Sequence, residues 1–169
     1  MFSKWKSKKE AQHTGHIIEI MAPISGKAVP LNQVPDETFA GGHMGKGMAI
    51  EPAEGRLTAP FDGTVAHLVK TNHALILEHP SGLQLLLHIG IDTVSLKGSA
   101  FVSHVSTGDR IKAGETLIEF DLAAIHAAGL QSISPVIVTS TEENPPGVEP
   151  FYGQVTAGRD TILKVASKV

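Results

Sequence analysis

Two histidines fifteen positions apart, His73 and His88, stand in the apolar, strand-like runs TNHALILE and LQLLLHIGIDTV. Histidine is the one unperturbed side chain that changes charge near neutrality, and its neutral ring nitrogen is both a nucleophile and a metal ligand. Between the runs lies His79-Pro80-Ser81-Gly82, with Pro and Gly where a type I turn takes them. With Pro80 and Ser81 as the tip of a hairpin, Glu78 faces Leu83, Leu75 faces Leu86 and His73 faces His88. Opposed side chains have Cβ atoms roughly 5 Å apart, so the two rings can then act on one small group. A bulge at Gly82 instead shifts the register by one. It sets the histidines on opposite faces unless a second irregularity restores the phase. Turn chemistry supports both registers equally.

Three kinds of chemistry fit such a pair. The rings can be core histidines with satisfied nitrogens. They can be two ligands of a zinc site completed by Asp or Glu, although no HExxH motif or third ligand at diagnostic spacing is present. Or one imidazole can be a nucleophile and the other a hydrogen-bond donor. His88 alternates with Gln84 and Leu86, away from the stripe Leu83, Leu85, Leu87, Ile89. Gly90 follows, where a ligand or partner backbone can come close, and Asp92 offers an acceptor.

The elements that must hold these residues are short. Seventeen glycines and ten prolines divide the chain into pieces such as HIIEI, GTVAHLV, AFVSHV, ETLIEF, PVIVTS and TILKV, several of them alternating with period two. That pattern predicts an all-β sandwich or barrel. Helix signals are weak. Asp121 caps the best candidate, over residues 121–130, and Gly129 ends it; a second helical turn is expected over residues 36–40. Ala-Pro-x-x-Gly occurs twice, from Ala22 and from Ala59, and the two copies suggest equivalent strand-turn corners. A final strand is expected near residues 161–165.

Composition narrows the class. Net charge is −3, which gives no basic field for nucleic acid. The absence of cysteine excludes disulfides and thiolate chemistry and fits a reducing compartment. No stretch reaches the ~20 apolar residues of a membrane span. Residues 1–15 carry Lys4, Lys6, Lys8 and Lys9 with Phe2 and Trp5, and read as a basic flexible tail or a weak lipid tether. Residues 16–169 are expected to form one domain.

T-N-H-A from Thr71 and H-I-G-I-D-T-V from His88 closely resemble the glucose-type enzyme IIA family of the bacterial phosphoenolpyruvate-dependent sugar phosphotransferase system. So do PDETFAGGHMGKGMAIEP from Pro35, APFDGTV from Ala59, LKGSAFVSHVSTGDRIKAGETLIEFDL from Leu96 and SPVIVTS from Ser134. The resemblance covers roughly residues 16–165. It implies a compact antiparallel β-sandwich or barrel of the duplicated hybrid motif type, with very short helices. It implies a cytoplasmic phosphocarrier that meets the membrane's inner face transiently. His88 would take a phosphoryl group from the carrier HPr and pass it to a cysteine of a sugar-specific IIB domain or IIBC permease. His73 would contact the phosphoryl oxygens, and Thr71 would orient His73. Backbone amides near Gly90 would add donors. Phosphate would be held covalently, with no dissociable cofactor and no metal.

Asp36, Phe39, Met44, Leu75, Leu86, Ile89, Asp92 and Val94 match positions around the family's site and are expected to meet partners. Leu75, Leu86 and Ile89 depart from the aromatic residues frequent there, and Lys46 stands where an acidic residue is expected; His43 lies in the same segment. Unphosphorylated members of the family also bind regulated transporters or enzymes, so a regulatory binding module is the first alternative and a histidine-based zinc protein the second. A lipoyl or biotinyl carrier, suggested by GDRIKAGETL, fits poorly because Met44-Gly45-Lys46 lacks that carrier's lysine context.

Overall fold

The computed structural model describes residues 16–139 and 147–167. The expectations for the N-terminal tail lie outside them. Among the described residues the regular structure is mostly β-strand, in three antiparallel sheets. The largest has eight strands, in the order β13 (Gly153–Val155), β2 (Gly26–Pro30), β3 (Lys46–Pro52), β11 (Ser134–Thr139), β7 (Gln84–His88), β6 (Ala74–Glu78), β5 (Gly63–Leu68) and β9 (Arg110–Ile111). A three-stranded sheet joins β1 (His16–Met21), β14 (Thr161–Ser167) and β12 (Gly147–Pro150). A second joins β4 (Arg56–Thr58), β10 (Thr116–Phe120) and β8 (Phe101–Ser103).

Alternation along the strands decides which side chains fill the core. Leu75 and Leu77 of β6, Leu85 and Leu87 of β7, and Val136 and Val138 of β11 point into one large core with Ile20, Ile50, Leu117 and Ile118. The opposite face of the same sheet carries a smaller core of Val29, Ala49, Leu86 and Ile137, closed by Val34, Phe39, Ile91 and Ile133. Strands β7 and β11 are therefore buried on both faces, and PVIV reads as a continuous apolar run rather than an alternating one.

The repeated Ala-Pro segments form equivalent corners. Met21 N–H donates to the Pro60 carbonyl (3.1 Å) and Thr58 N–H donates to the Pro23 carbonyl (2.7 Å), so each copy hydrogen-bonds the other reciprocally. Ala22 N–H donates to Asp160 O (2.7 Å) and the matching Ala59 N–H to Glu115 O (2.8 Å). Gly158 and Gly114 donate back to Ala22 and Ala59 in the same way. With Ala22 and Ala59 both fully buried, only a small residue fits either corner.

The two helices are short. In α1 (Glu37–Ala40) the Asp36 carboxylate accepts from Thr38 N–H at 2.9 Å, and in α2 (Leu122–Ala127) Asp121 accepts from Ala124 N–H at 3.0 Å. A cap of this kind satisfies one of the orphan donors at a helix start. Gly129, at φ 77°, turns the chain after α2 as expected. Helix α1 and the 3-10 turn Leu31–Gln33 lie over the smaller core and bring Phe39 onto it.

Leu85 is fully buried and lies in the hairpin that carries the histidines. Leu85→Ala is expected to cost about 2–5 kcal/mol in urea unfolding, whereas Ile17→Ala, at a site 62 % exposed, should stay within about 0.5 kcal/mol.

Candidate functional site

The hairpin adopts the bulged register. Ala74 pairs with His88, Ile76 with Leu86 and Glu78 with Gln84. At the tip Gly82 takes φ 94°, its N–H donating to His79 O, while His79 N–H donates to Leu83 O. His79 itself is a turn residue whose Nδ1 accepts from Ser81 N–H at 3.0 Å. The in-register pairing of His73 with His88 is thereby excluded. The rings nevertheless meet, because His73 stands just outside β6, in the bend that follows left-handed Asn72 (φ 58°). Their centroids are 5.0 Å apart with planes at 79°. The ladder ends there with Ile89 N–H donating to His73 O at 2.8 Å.

Each ring has one nitrogen occupied. His73 Nδ1 is hydrogen-bonded to Thr71 Oγ1 at 2.6 Å. His88 Nδ1 donates to the Gly90 carbonyl at 2.7 Å. A carbonyl oxygen only accepts, so the His88 proton must sit on Nδ1. The neutral ring then presents its lone pair at Nε2. Phe39 lies against His88 (centroids 5.0 Å), and Phe101 lies 6.4 Å from His73.

Burial is the main influence on both rings. It pushes His73 down to about 4, helped by the neighbouring His88. Burial also lowers His88, opposed by the hydrogen bond to Gly90 and by the Asp36 and Asp92 carboxylates. Both imidazoles are therefore neutral at pH 7.

The loop after His88 is held tightly. Gly90 is buried at φ 73°, and a Cβ there would fall 2.8 Å from the Gln131 carbonyl oxygen. Its N–H donates to Ser134 Oγ at 3.2 Å, so Gly90's own amide is already engaged and is not a donor to the site. What Gly90 supplies to the pair is its carbonyl. Ser134 opens the SPVIVTS segment, but neither motif nor spacing gave it a role at the site; a polar residue opening an apolar strand is the only further trace in the sequence.

The expected contact residues divide. Met44 and Val94 are exposed, at 38 % and 54 %, and Asp92 is exposed as well. Asp36 is half-buried and caps α1. Leu75, Leu86 and Ile89 are buried (1 %, 8 % and 0 % exposed), which overturns their assignment as partner contacts. They are core, because the strand alternation turns them inward. Phe39 is also buried and forms a wall of the site. Lys46 and His43 are exposed. Among the described residues no group of three or more His, Asp or Glu could hold a metal ion, and no helix is long and apolar enough to cross a membrane.

An all-β frame thus holds two adjacent imidazoles, each with its Nδ1 in a hydrogen bond. The family model for the phosphoenolpyruvate-dependent sugar phosphotransferase system, EIIA 1, matches residues 18–144. A glucose-specific EIIA component of Oceanobacillus iheyensis is 41% identical over 148 residues, covering 88% of this chain and 90% of that one. A beta-glucoside-specific EIIBCA component of Dickeya chrysanthemi is 50% identical over 139 residues, covering 82% of this chain but 22% of the relative. The solved structure of glucose permease IIA from Mycoplasma capricolum superposes with a TM-score of 0.82 at 31% identity, covering 89% of this chain and 96% of the other. The chain belongs to the EIIA 1 family of the sugar phosphotransferase system. It is a phosphotransferase component, passing phosphoryl groups to a sugar-specific IIB or IIBC partner in sugar uptake.

The depressed histidines link stability to pH. Between the ordinary value near 6.5 and about 4, the unfolded chain binds a proton that folded His73 refuses. Stability from this source is complete above pH ~6.5 and falls as the solution is acidified toward pH ~4. Urea midpoints measured over that window should drop with pH, and His73→Gln should flatten the slope.

Proposed function

We propose that His88 is the phosphoryl acceptor, that Nε2 is the reacting atom and that HPr is the donor. The observation that carries this reading is the hydrogen bond from His88 Nδ1 to the Gly90 carbonyl, which anchors the ring and leaves its Nε2 unprotonated. In-line attack forms the Nε2–P bond as the donor's N–P bond breaks, the electron pair remaining on the donor nitrogen. In the onward step a IIB cysteine thiolate attacks phosphorus, and the pair of the breaking bond returns to Nε2.

His73 complements this. Its Nδ1 is hydrogen-bonded to Thr71 Oγ1, and with the hydroxyl as donor in that bond the His73 proton lies on Nε2. That N–H is available to the phosphoryl oxygens, where charge resides during transfer. A neutral donor suits this role, because it steadies the group in flight without trapping the phosphorylated state as a fixed ion pair. Phosphate is held covalently and no dissociable cofactor is needed. Met44, Val94 and Asp92 are the exposed members of the expected docking surface, and HPr and the IIB domain use it in turn. Chemistry of this kind belongs in the cytoplasm, where HPr and the inner face of a permease are both reached.

Incubation with phosphoenolpyruvate, enzyme I and HPr, read by intact mass, tests the assignment. Wild type and His73→Ala should each gain one phosphoryl group and His88→Ala none. Transfer onward from His73→Ala to a IIB domain should slow by roughly a hundredfold. A label retained by His88→Ala would displace His88 from its role.

A further inference from the structure

Ser134 has no place in the transfer chemistry, yet it is bound to the peptide on which His88 depends. The two peptide planes that meet at the Gly90 Cα have four polar groups, and all four are engaged. The Ile89 carbonyl accepts from buried Thr93 Oγ1. Gly90 N–H donates to Ser134 Oγ. The Gly90 carbonyl accepts from His88 Nδ1. Ile91 N–H, in the same plane as that carbonyl, donates to Gln131 O at 3.0 Å.

Ser134 is 2 % exposed, and its hydroxyl has a determined orientation. It donates to Ser132 O at 2.8 Å, so a lone pair is what faces Gly90 N–H. It begins β11, which is hydrogen-bonded between β3 and β7. The hydroxyl thus ties the loop after His88 to the middle of the eight-stranded sheet. Gly90 needs such a tie: its backbone conformation has no side chain to restrain it, and free glycine visits many others.

Resting on His88 as phosphoryl acceptor, we infer that Ser134 is a positioning residue, which holds the Gly90 peptide so that its carbonyl keeps the His88 proton on Nδ1 and Nε2 free to react. Without the hydroxyl, Gly90 N–H and Ser132 O both lose their partner, and the peptide can turn to find others. The His88 ring then loses its acceptor and populates the tautomer with the proton on Nε2, which cannot attack.

The test compares Ser134→Ala and Ser134→Cys with wild type. Cysteine is close in volume to serine but a weak acceptor, so it reports even if alanine unfolds the chain. Long-range nitrogen-proton NMR of the unphosphorylated protein reads the His88 tautomer directly. Wild type should show the proton on Nδ1, and the variants a mixture. Phosphorylation from HPr should slow by roughly tenfold or more. A purely structural role would lower the melting temperature and leave the tautomer unchanged. A folded variant with the wild-type tautomer and rate overturns the inference. Because the tautomer is read without any donor, a wild type that HPr fails to phosphorylate would refute the functional reading separately.

Discussion

The hydrogen bond between His88 Nδ1 and the Gly90 carbonyl is the contact on which the proposed chemistry depends, because a neutral imidazole has one unprotonated nitrogen and the bond decides which. Several features of the chain serve that one contact. Only glycine can occupy position 90, since the backbone is left-handed and the Gln131 carbonyl lies where a Cβ would go. Position 89 must be apolar because its side chain enters the large core, which anchors the loop from below. The chain around residue 90 is thus constrained from its backbone outward, and the functional ring inherits its orientation from those constraints.

The electrostatic setting follows from where the pair sits. Burial favours the neutral form of both rings, and His88 further discourages a charge on His73. Asp36 and Asp92 offset part of this for His88 and are not among the influences on His73. The two histidines are therefore unequal in setting: carboxylates oppose the effect of burial at His88, and no such influence opposes it at His73. A cation at position 73 would bind a phosphoryl group more tightly but would also hold the phosphorylated state. A carrier must release what it takes, so weak, neutral contacts suit it better than strong ones.

Much of this was legible in the sequence. Short alternating runs between Gly and Pro marked an all-β chain, Asp36 and Asp121 marked both helix starts, and two Ala-Pro-x-x-Gly copies marked corners that bond each other reciprocally. The histidine pair and Thr71 stood out by motif. The register did not, because it depends on the φ angle at Gly82 and on the bend at Asn72, which composition leaves open. Leu75, Leu86 and Ile89 were misread as contacts since closeness to the histidines along the chain says nothing of which face a residue takes; alternation sends all three into a core. Ser134 reaches Gly90 across 44 positions, and no local pattern records a contact of that range.

The frame and the site obey opposite rules. The corners at Ala22 and Ala59 are regular and duplicated, and they repeat the same hydrogen bonds. The site is irregular. Asn72, Asp92 and Lys97 are the three non-glycine residues with positive φ among the described residues, and all of them lie between the entry to the histidine hairpin and the C-cap of the turn Thr93–Leu96 that follows it. Such conformations cost of order 1 kcal/mol or more each and persist only where surrounding structure over-determines them. Two of them serve the pair directly. Asn72 brings His73 out of the strand phase that would separate it from His88, and Asp92 turns the chain into the 3-10 segment whose Thr93 holds the Ile89 carbonyl. A perfectly regular hairpin in the observed register would have placed the two imidazoles on opposite faces of the sheet. The pair exists because the strands stop at Ala74 and His88, and the rigid duplicated frame is what allows the backbone beyond them to be strained.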